Sequence, residues 1–289
     1  MKQHVIGMFD SGVGGLTVMK EILAQLPELQ IIYFGDTARV PYGNRSREEL
    51  ISFGEEIISF LIAQGAEAVV IACNTSSANA LPVLKEQFNL PLIGTIEPGA
   101  RAAVRATENG KIGLIATEAT VRSKAYNSAV KRVLTKGVFP KKDELREAWQ
   151  MEETVIEVVR AQACPLFVPL VEAGLAHSPE ARGIARTYLA PIQEVGADTL
   201  ILGCTHYPYL APVIREIMGD RITLVDPAQA MVEELKEVLQ QLESNDGNDE
   251  ECFDGHRFFV SGDPALFEQV GNTLLPGLIH DVKQVSWHV

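Results

Sequence analysis

The chain has 289 residues, 46% hydrophobic and 22% charged, with a formal net charge of −13 at neutral pH. That is length enough for two core-bearing domains, in proportions ordinary for a globular enzyme. The negative balance repels a phosphate backbone or an anionic membrane surface, so neither nucleic acid nor membrane is an expected partner, although backbone N–H groups could still cradle a local anion.

The first predicted strand, 4–9, runs into Asp10-Ser11-Gly12-Val13-Gly14-Gly15. Those glycines suit a tight strand-to-helix turn, or an anion cradle of amides with the Ser11 hydroxyl, leaving Asp10 for an ammonium or a thiol. A dinucleotide fingerprint is a weak match, with Asp36 after the next strand, 30–34, but Thr17 where its third glycine belongs. Val40-Pro41-Tyr42-Gly43-Asn44 is a turn by composition. Ser46 and Glu49 make a capping box ahead of a helix carrying Leu50, Phe53, Ile57, Ile58 and Leu61. Strands follow at 68–72, 92–94 and 111–116, with a helix opened by Glu97-Pro98 before the last of them. A charged helix is predicted within 136–161, with Trp149 on its apolar side, and then strands at 165–168 and 199–203, separated by a helix between Ser178-Pro179 and Gly196. Strand 222–225, an amphipathic helix over 227–242, an acidic solvated loop at 243–255 and strand 257–260 complete the chain.

The alternation predicts parallel sheets covered by helices. It also repeats. Gly65-Ala66-Glu67-Ala68-Val69-Val70-Ile71-Ala72-Cys73-Asn74-Thr75 is echoed without a gap, 131 residues on, by Gly196-Ala197-Asp198-Thr199-Leu200-Ile201-Leu202-Gly203-Cys204-Thr205-His206. Ile6 to Ser11 similarly resembles Ile112 to Thr117. The expected fold is therefore α/β, two pseudo-symmetric domains with mostly parallel sheets facing an interdomain cleft. Residues 1–95 plus 208–289 would form one domain and 96–207 the other.

Four cysteines lie far apart with no CxxC pair, which favours reduced thiols over a disulfide framework. With no visible export signal and no membrane-spanning apolar run, a cytoplasmic protein is expected. Cys73 and Cys204 each end an apolar run, whereas Cys164 and Cys252 have no comparable surroundings and read as structural. A buried core thiol is the ordinary fate of cysteine, but Asn74-Thr75-Ser76-Ser77 suits a helix N-terminus whose amides favour a thiolate. His206, two residues beyond Cys204, is a candidate proton partner. Zinc would need more ligands than one Cys-x-His and a remote cysteine supply. Two thiols delivered alike from two half-chains fit chemistry that moves a proton from one face of a carbon to the other.

FDSGVGGLTV, YFGDTARVPYGNRS, VVIACNTSSA, PLFVPLVEAG and LILGCTHYPYL together resemble the glutamate racemase family, in order and over nearly the whole chain. The resemblance implies cofactor-independent interconversion of L- and D-glutamate, supplying D-glutamate for peptidoglycan, by a homodimer. It further implies that Cys73 takes the proton from D-glutamate with help from Asp10. Cys204 would take it from L-glutamate with help from His206, and Glu172 would stand behind. Asn74, Thr75 and Thr205, with Thr117 and Thr120 nearby, would hold the α-carboxylate and ammonium. Ser11 and the Pro41–Tyr42–Gly43 turn would hold the side-chain carboxylate. An aspartate racemase of the same family, a nicotinamide-dependent oxidoreductase and a non-catalytic dicarboxylate-binding protein are the alternatives.

Overall fold

Runs of β-branched and aliphatic residues with no polar alternation become strands buried on both faces, and the chain builds its sheets from them. A computed structural model describes residues 4–136, 155–243 and 255–287. Its strands are β1 (Val5–Asp10), β2 (Gln30–Gly35), β3 (Ala68–Ile71), β4 (Leu92–Gly94), β5 (Lys111–Ala116), β6 (Glu157–Ala163), β7 (Thr199–Gly203), β8 (Thr223–Val225), β9 (Arg257–Val260) and β10 (Lys283–Gln284). They form two parallel sheets, ordered β10-β9-β2-β1-β3-β4 and β6-β5-β7-β8. Contacts divide the chain into two compact units, Met1–Thr95 with Ala228–Val289, and Ile96–Pro227.

The sequence echo is also a structural one. The stretch β2-β1-β3-β4 has the same connectivity as β6-β5-β7-β8. Ile6 pairs with Ala68 and Phe9 with Ile71 in the first unit, and Ile112 pairs with Thr199 and Ile115 with Leu202 in the second. Echoed residues therefore occupy equivalent rungs. A slip of one residue would turn every side chain to the opposite face, so a shared register presents the residues just beyond β3 and β7 in the same way. In each unit the strand order reverses beside β1 or β5, where ligands of open α/β sheets bind beyond the carboxyl ends of the strands.

Alternation along the strands separates the two cores of the first unit. Met8, Tyr33 and Val70 face Leu16, Met19, Met231, Val232 and Phe267. Phe9, Phe34 and Ile71 face Ile57, Ile58, Leu61 and Leu84 on the other side. Each such side chain, fully buried, contributes about 1.5–3 kcal/mol. The capping box holds the start of helix Arg47–Ala63, with Glu49 N–H donating to Ser46 Oγ and Ser46 N–H to Glu49 Oε2. Ser178 caps helix Pro179–Glu194, and Gly196, at φ 69°, turns the chain out of it.

Two expectations need correcting. Residues 165–168 are not a strand: Leu166 begins a short helix, Phe167–Glu172, and the strand is β6, which overlaps the end of the 136–161 stretch expected to be helical. Among the described residues β6 pairs only with β5, at the sheet edge. Its exposed Glu157 and Arg160 interrupt the apolar pattern as edge strands commonly do. The return to the first unit also comes later than 208. Helix Ala211–Met218 packs on helix Pro179–Glu194 and β8 pairs with β7, so the chain stays in the second unit to Pro227. Trp149, Cys252 and most of the acidic loop lie outside the described residues. No helix among the described residues is long and apolar enough to cross a membrane.

Candidate active site

In the first unit β1 ends at Asp10, which is fully buried. The Gly12 N–H donates to Asp10 Oδ2 at 3.0 Å and the Tyr33 hydroxyl donates to the Gly12 carbonyl at 2.8 Å. One amide of the expected anion cradle is therefore used by the chain's own carboxylate, which it aims. A side chain at Gly15 would force its neighbours to shift, because a Cβ would stand 2.6 Å from both Asp10 Cβ and the Tyr33 hydroxyl. Ser11 is half-buried beside this turn.

One strand over, Cys73 follows β3, 4% exposed, and caps helix Asn74–Asn79, its carbonyl accepting from Ser77 N–H at 2.9 Å. Asn74 and Thr75 are buried in the first turn, the setting that the polar run after Cys73 anticipated. The Pro41–Tyr42–Gly43 segment enters a single 3-10 turn, Tyr42–Asn44. Tyr42 is buried and donates its hydroxyl to Asp36. Burial, then the Asp36 charge, pushes its phenol well above the ordinary range, and a Cys73 thiolate adds to this. Tyr42 is thus a permanent donor. Asp36, fully buried, also accepts from Arg39 Nε at 2.7 Å and Ser261 Oγ at 2.6 Å. A carboxylate engaged in this way is not available to a ribose, which removes the residue the dinucleotide reading needed.

In the second unit Cys204 directly follows β7 and is 7% exposed. His206 is equally buried. Its Nδ1 lies 3.9 Å from Cys204 Sγ and its Nε2 3.1 Å from Glu172 Oε1. With Glu172 accepting from Nε2–H, Nδ1 turns its lone pair toward the thiol, the orientation a proton acceptor requires. Glu172 is 46% exposed, so only its hydrogen bond distinguishes it from the surface residue its sequence context suggested. The Thr205 hydroxyl lies 3.5 Å from the same Nδ1. Thr117 follows β5, whose last residue, Ala116, pairs with Gly203, and its hydroxyl meets that of Thr120 at 3.0 Å. Gly203 is the close-approach point of the two strands, since a Cβ there would sit 2.9 Å from the Ile115 carbonyl.

The expected residues thus gather as one group in each unit: Asp10, Ser11, Pro41, Tyr42, Gly43, Cys73, Asn74 and Thr75 in the first, Thr117, Thr120, Glu172, Cys204, Thr205 and His206 in the second. Cys164 is fully buried, its thiol pushed far up by burial and then by Cys204, which makes it inert at neutral pH. Sequence reasoning missed Tyr207, fully buried, whose hydroxyl donates to the Cys164 carbonyl at 3.1 Å and ties the Cys204 turn to the end of β6. It also missed Arg39 and Ser261, which hold the Tyr42 turn through contacts no local pattern records.

Residues 6–235 match the family described as Asp/Glu/Hydantoin racemase. A glutamate racemase of Geobacter metallireducens is 46% identical over 99% of this chain and 98% of its own length. Among solved structures, the glutamate racemase isoform RacE1 of Bacillus anthracis superposes with a TM-score of 0.83 at 37% identity, covering 99% of this chain and 98% of that one. The glutamate racemase of Francisella tularensis, solved in complex with D-glutamate, superposes at 0.78 with 32% identity over 99% and 98%. The chain belongs to the aspartate/glutamate racemase family, and within it to the glutamate racemases.

Proposed function

We propose that the protein interconverts L- and D-glutamate without a cofactor, Cys73 and Cys204 acting on opposite faces of the α-carbon. The observation that carries this reading is the matched placement of the two thiols. Each lies just beyond a strand at the reversal point of its sheet and in one register; Cys73 follows the strand paired with the one that ends at Asp10, and Cys204 Sγ lies 3.9 Å from an imidazole nitrogen. In one direction a Cys73 thiolate removes the α-proton and the Cys204 thiol delivers one to the other face; the reverse direction exchanges the roles. Between turnovers the thiolate left behind regains a proton and the thiol formed loses one; His206, backed by Glu172, returns or takes the proton of Cys204, and Asp10 that of Cys73. The α-hydrogen is a very weak acid, so donors around the α-carboxylate, from Asn74, Thr75 and Thr205 with Thr117 and Thr120 nearby, must stabilise enolate-like charge. Proton transfer by positioned groups contributes about 10²–10⁴-fold and cannot be the whole acceleration.

The Tyr42–Gly43 turn and Ser11 hold the side-chain carboxylate, which is what selects glutamate over a shorter acid. The product serves peptidoglycan synthesis in the cytoplasm, and the enzyme works as a homodimer. The test is circular dichroism of each enantiomer of glutamate, and separately of aspartate, with no cofactor added. Loss of the glutamate signal toward zero from either side is expected. A flat signal with glutamate, or faster loss with aspartate, would overturn the assignment.

A further inference from the structure

Trp287 is tied to the Tyr42 turn in a way the reaction does not require. It packs against Phe34 and Phe60, with ring centroids 5.4 and 6.2 Å apart, and the Arg39 guanidinium lies 5.3 Å from its ring centroid. Phe53 approaches the same guanidinium at 4.1 Å.

Arg39 spends two nitrogens on acids, Nε on Asp36 and Nη1 on Glu56. Its third, Nη2, is buried with no hydrogen-bond partner among the described residues. A guanidinium in that position is stabilised by aromatic faces in place of water, so the two rings determine where it sits. Arg39 in turn fixes the turn from both sides. Its carbonyl accepts from Arg45 Nε and Nη2, at 3.2 and 2.9 Å, which closes the segment 39–45 on itself. Its Nε shares Asp36 Oδ2 with the Tyr42 hydroxyl.

We propose that Trp287 is a positioning residue: its indole holds Arg39, and through Arg39 and Asp36 the Tyr42–Gly43 turn, so this ring sets how tightly the substrate's side-chain carboxylate is bound. The inference rests on the reading that this turn receives that carboxylate. It assigns the ring a job beyond covering the sheet, because a ring that only covered apolar surface would not need to face a cation.

The test compares Trp287→Leu with Trp287→Phe in the full-length enzyme. Leucine keeps the apolar cover and loses the aromatic face; phenylalanine keeps a smaller face. For Trp287→Leu, KM for both enantiomers should rise about tenfold, a loss of the size a partly desolvated cation–π contact gives, with kcat nearly unchanged. Amide hydrogen exchange over residues 40–45 should quicken in parallel, and Trp287→Phe should restore much of both. Unchanged exchange over 40–45 in Trp287→Leu overturns the proposal, as does faster exchange with an unaltered KM. The exchange measurement needs no turnover. An inactive wild type would therefore sink the racemase reading and leave the clamp to be decided by exchange alone.

Discussion

The two thiol turns begin alike and end differently. Cys73 and Cys204 leave their strands from equivalent rungs, yet Cys73 caps a regular helix while Cys204 enters a tight turn, a 3-10 segment at Tyr207–Leu210 and only then a helix. The first turn places Cys73 at the start of a helix, beyond the strand paired with the one that ends at Asp10; the second sets Cys204 against an imidazole backed by a half-exposed glutamate. Duplicated strands thus delivered two like nucleophilic atoms, and the segment after each strand decided how each could be made basic. A two-base racemase requires two bases of similar strength facing mirror-image protons. It does not require the same device behind both.

The comparison can be broken most severely at the sulfurs. Cys73→Ala and Cys204→Ala should each lower racemisation by at least ~10²–10⁴-fold with folding intact, followed by circular dichroism at equal protein concentration. Retention of activity in one of them would leave a single base doing both jobs. Removing the supports is the sharper cut. The enantiomers have equal free energy in water, so His206→Asn or Asp10→Asn must lower kcat/KM by the same factor in both directions, about 10²-fold. The asymmetry should appear in the primary isotope effect. With α-deuterated substrates, His206→Asn should raise the effect from L-glutamate and Asp10→Asn that from D-glutamate; equal effects in both variants would erase the distinction between the two turns.

Smaller effects separate the scaffolds. Gly15→Ala should cost the first unit about 1–3 kcal/mol in urea denaturation, because the new methyl group meets Asp10 and Tyr33. Asp198, the echo of Glu67, gives the weakest effect. Burial pushes its carboxyl up, but hydrogen bonds from the Thr107 hydroxyl and the Asn109 and Glu108 amides outweigh that and leave it below the ordinary carboxylate value. A depressed carboxyl adds stability above its unfolded value, near pH 3.9, and loses it as pH falls through the folded one. Asp198→Asn should therefore be less stable than wild type at neutral pH, and the gap should close below about pH 4. A gap that persists into acid would mean the hydrogen bonds matter and the charge does not.

Both thiols, the glycines beside them and the central strands were legible because each is announced locally, by an apolar run ending at a cysteine, a turn residue or a cap. The register shared by the two halves was implied by a gapless echo. What stayed hidden depended on distant partners. β6 reads as helix until its place at the sheet edge explains Glu157 and Arg160, and Pro165 to Val168 read as strand because four residues cannot show a period. Glu172 acquires meaning only when His206 meets it from 34 positions away. Asp36 could enter a weak dinucleotide match because nothing nearby in sequence shows Ser261. The boundary after 207 failed for a similar reason, since β8 belongs wherever β7 is.

The interrupted numbering of the first unit, Met1–Thr95 completed by Ala228–Val289, sets an order of events during synthesis. The ribosome releases a complete Ile96–Pro227 before it has made β9 or the helix Pro264–Leu274, which with helix Pro227–Glu243 covers the Met8, Tyr33 and Val70 side of the older sheet. The part begun first is thus finished last, and its sheet waits with one greasy side covered only by helix Leu16–Gln25 while the younger neighbour is free to fold. Nascent chains stalled short of Arg257 should therefore carry a protease-resistant core from the middle of the gene and a beginning that is still digestible.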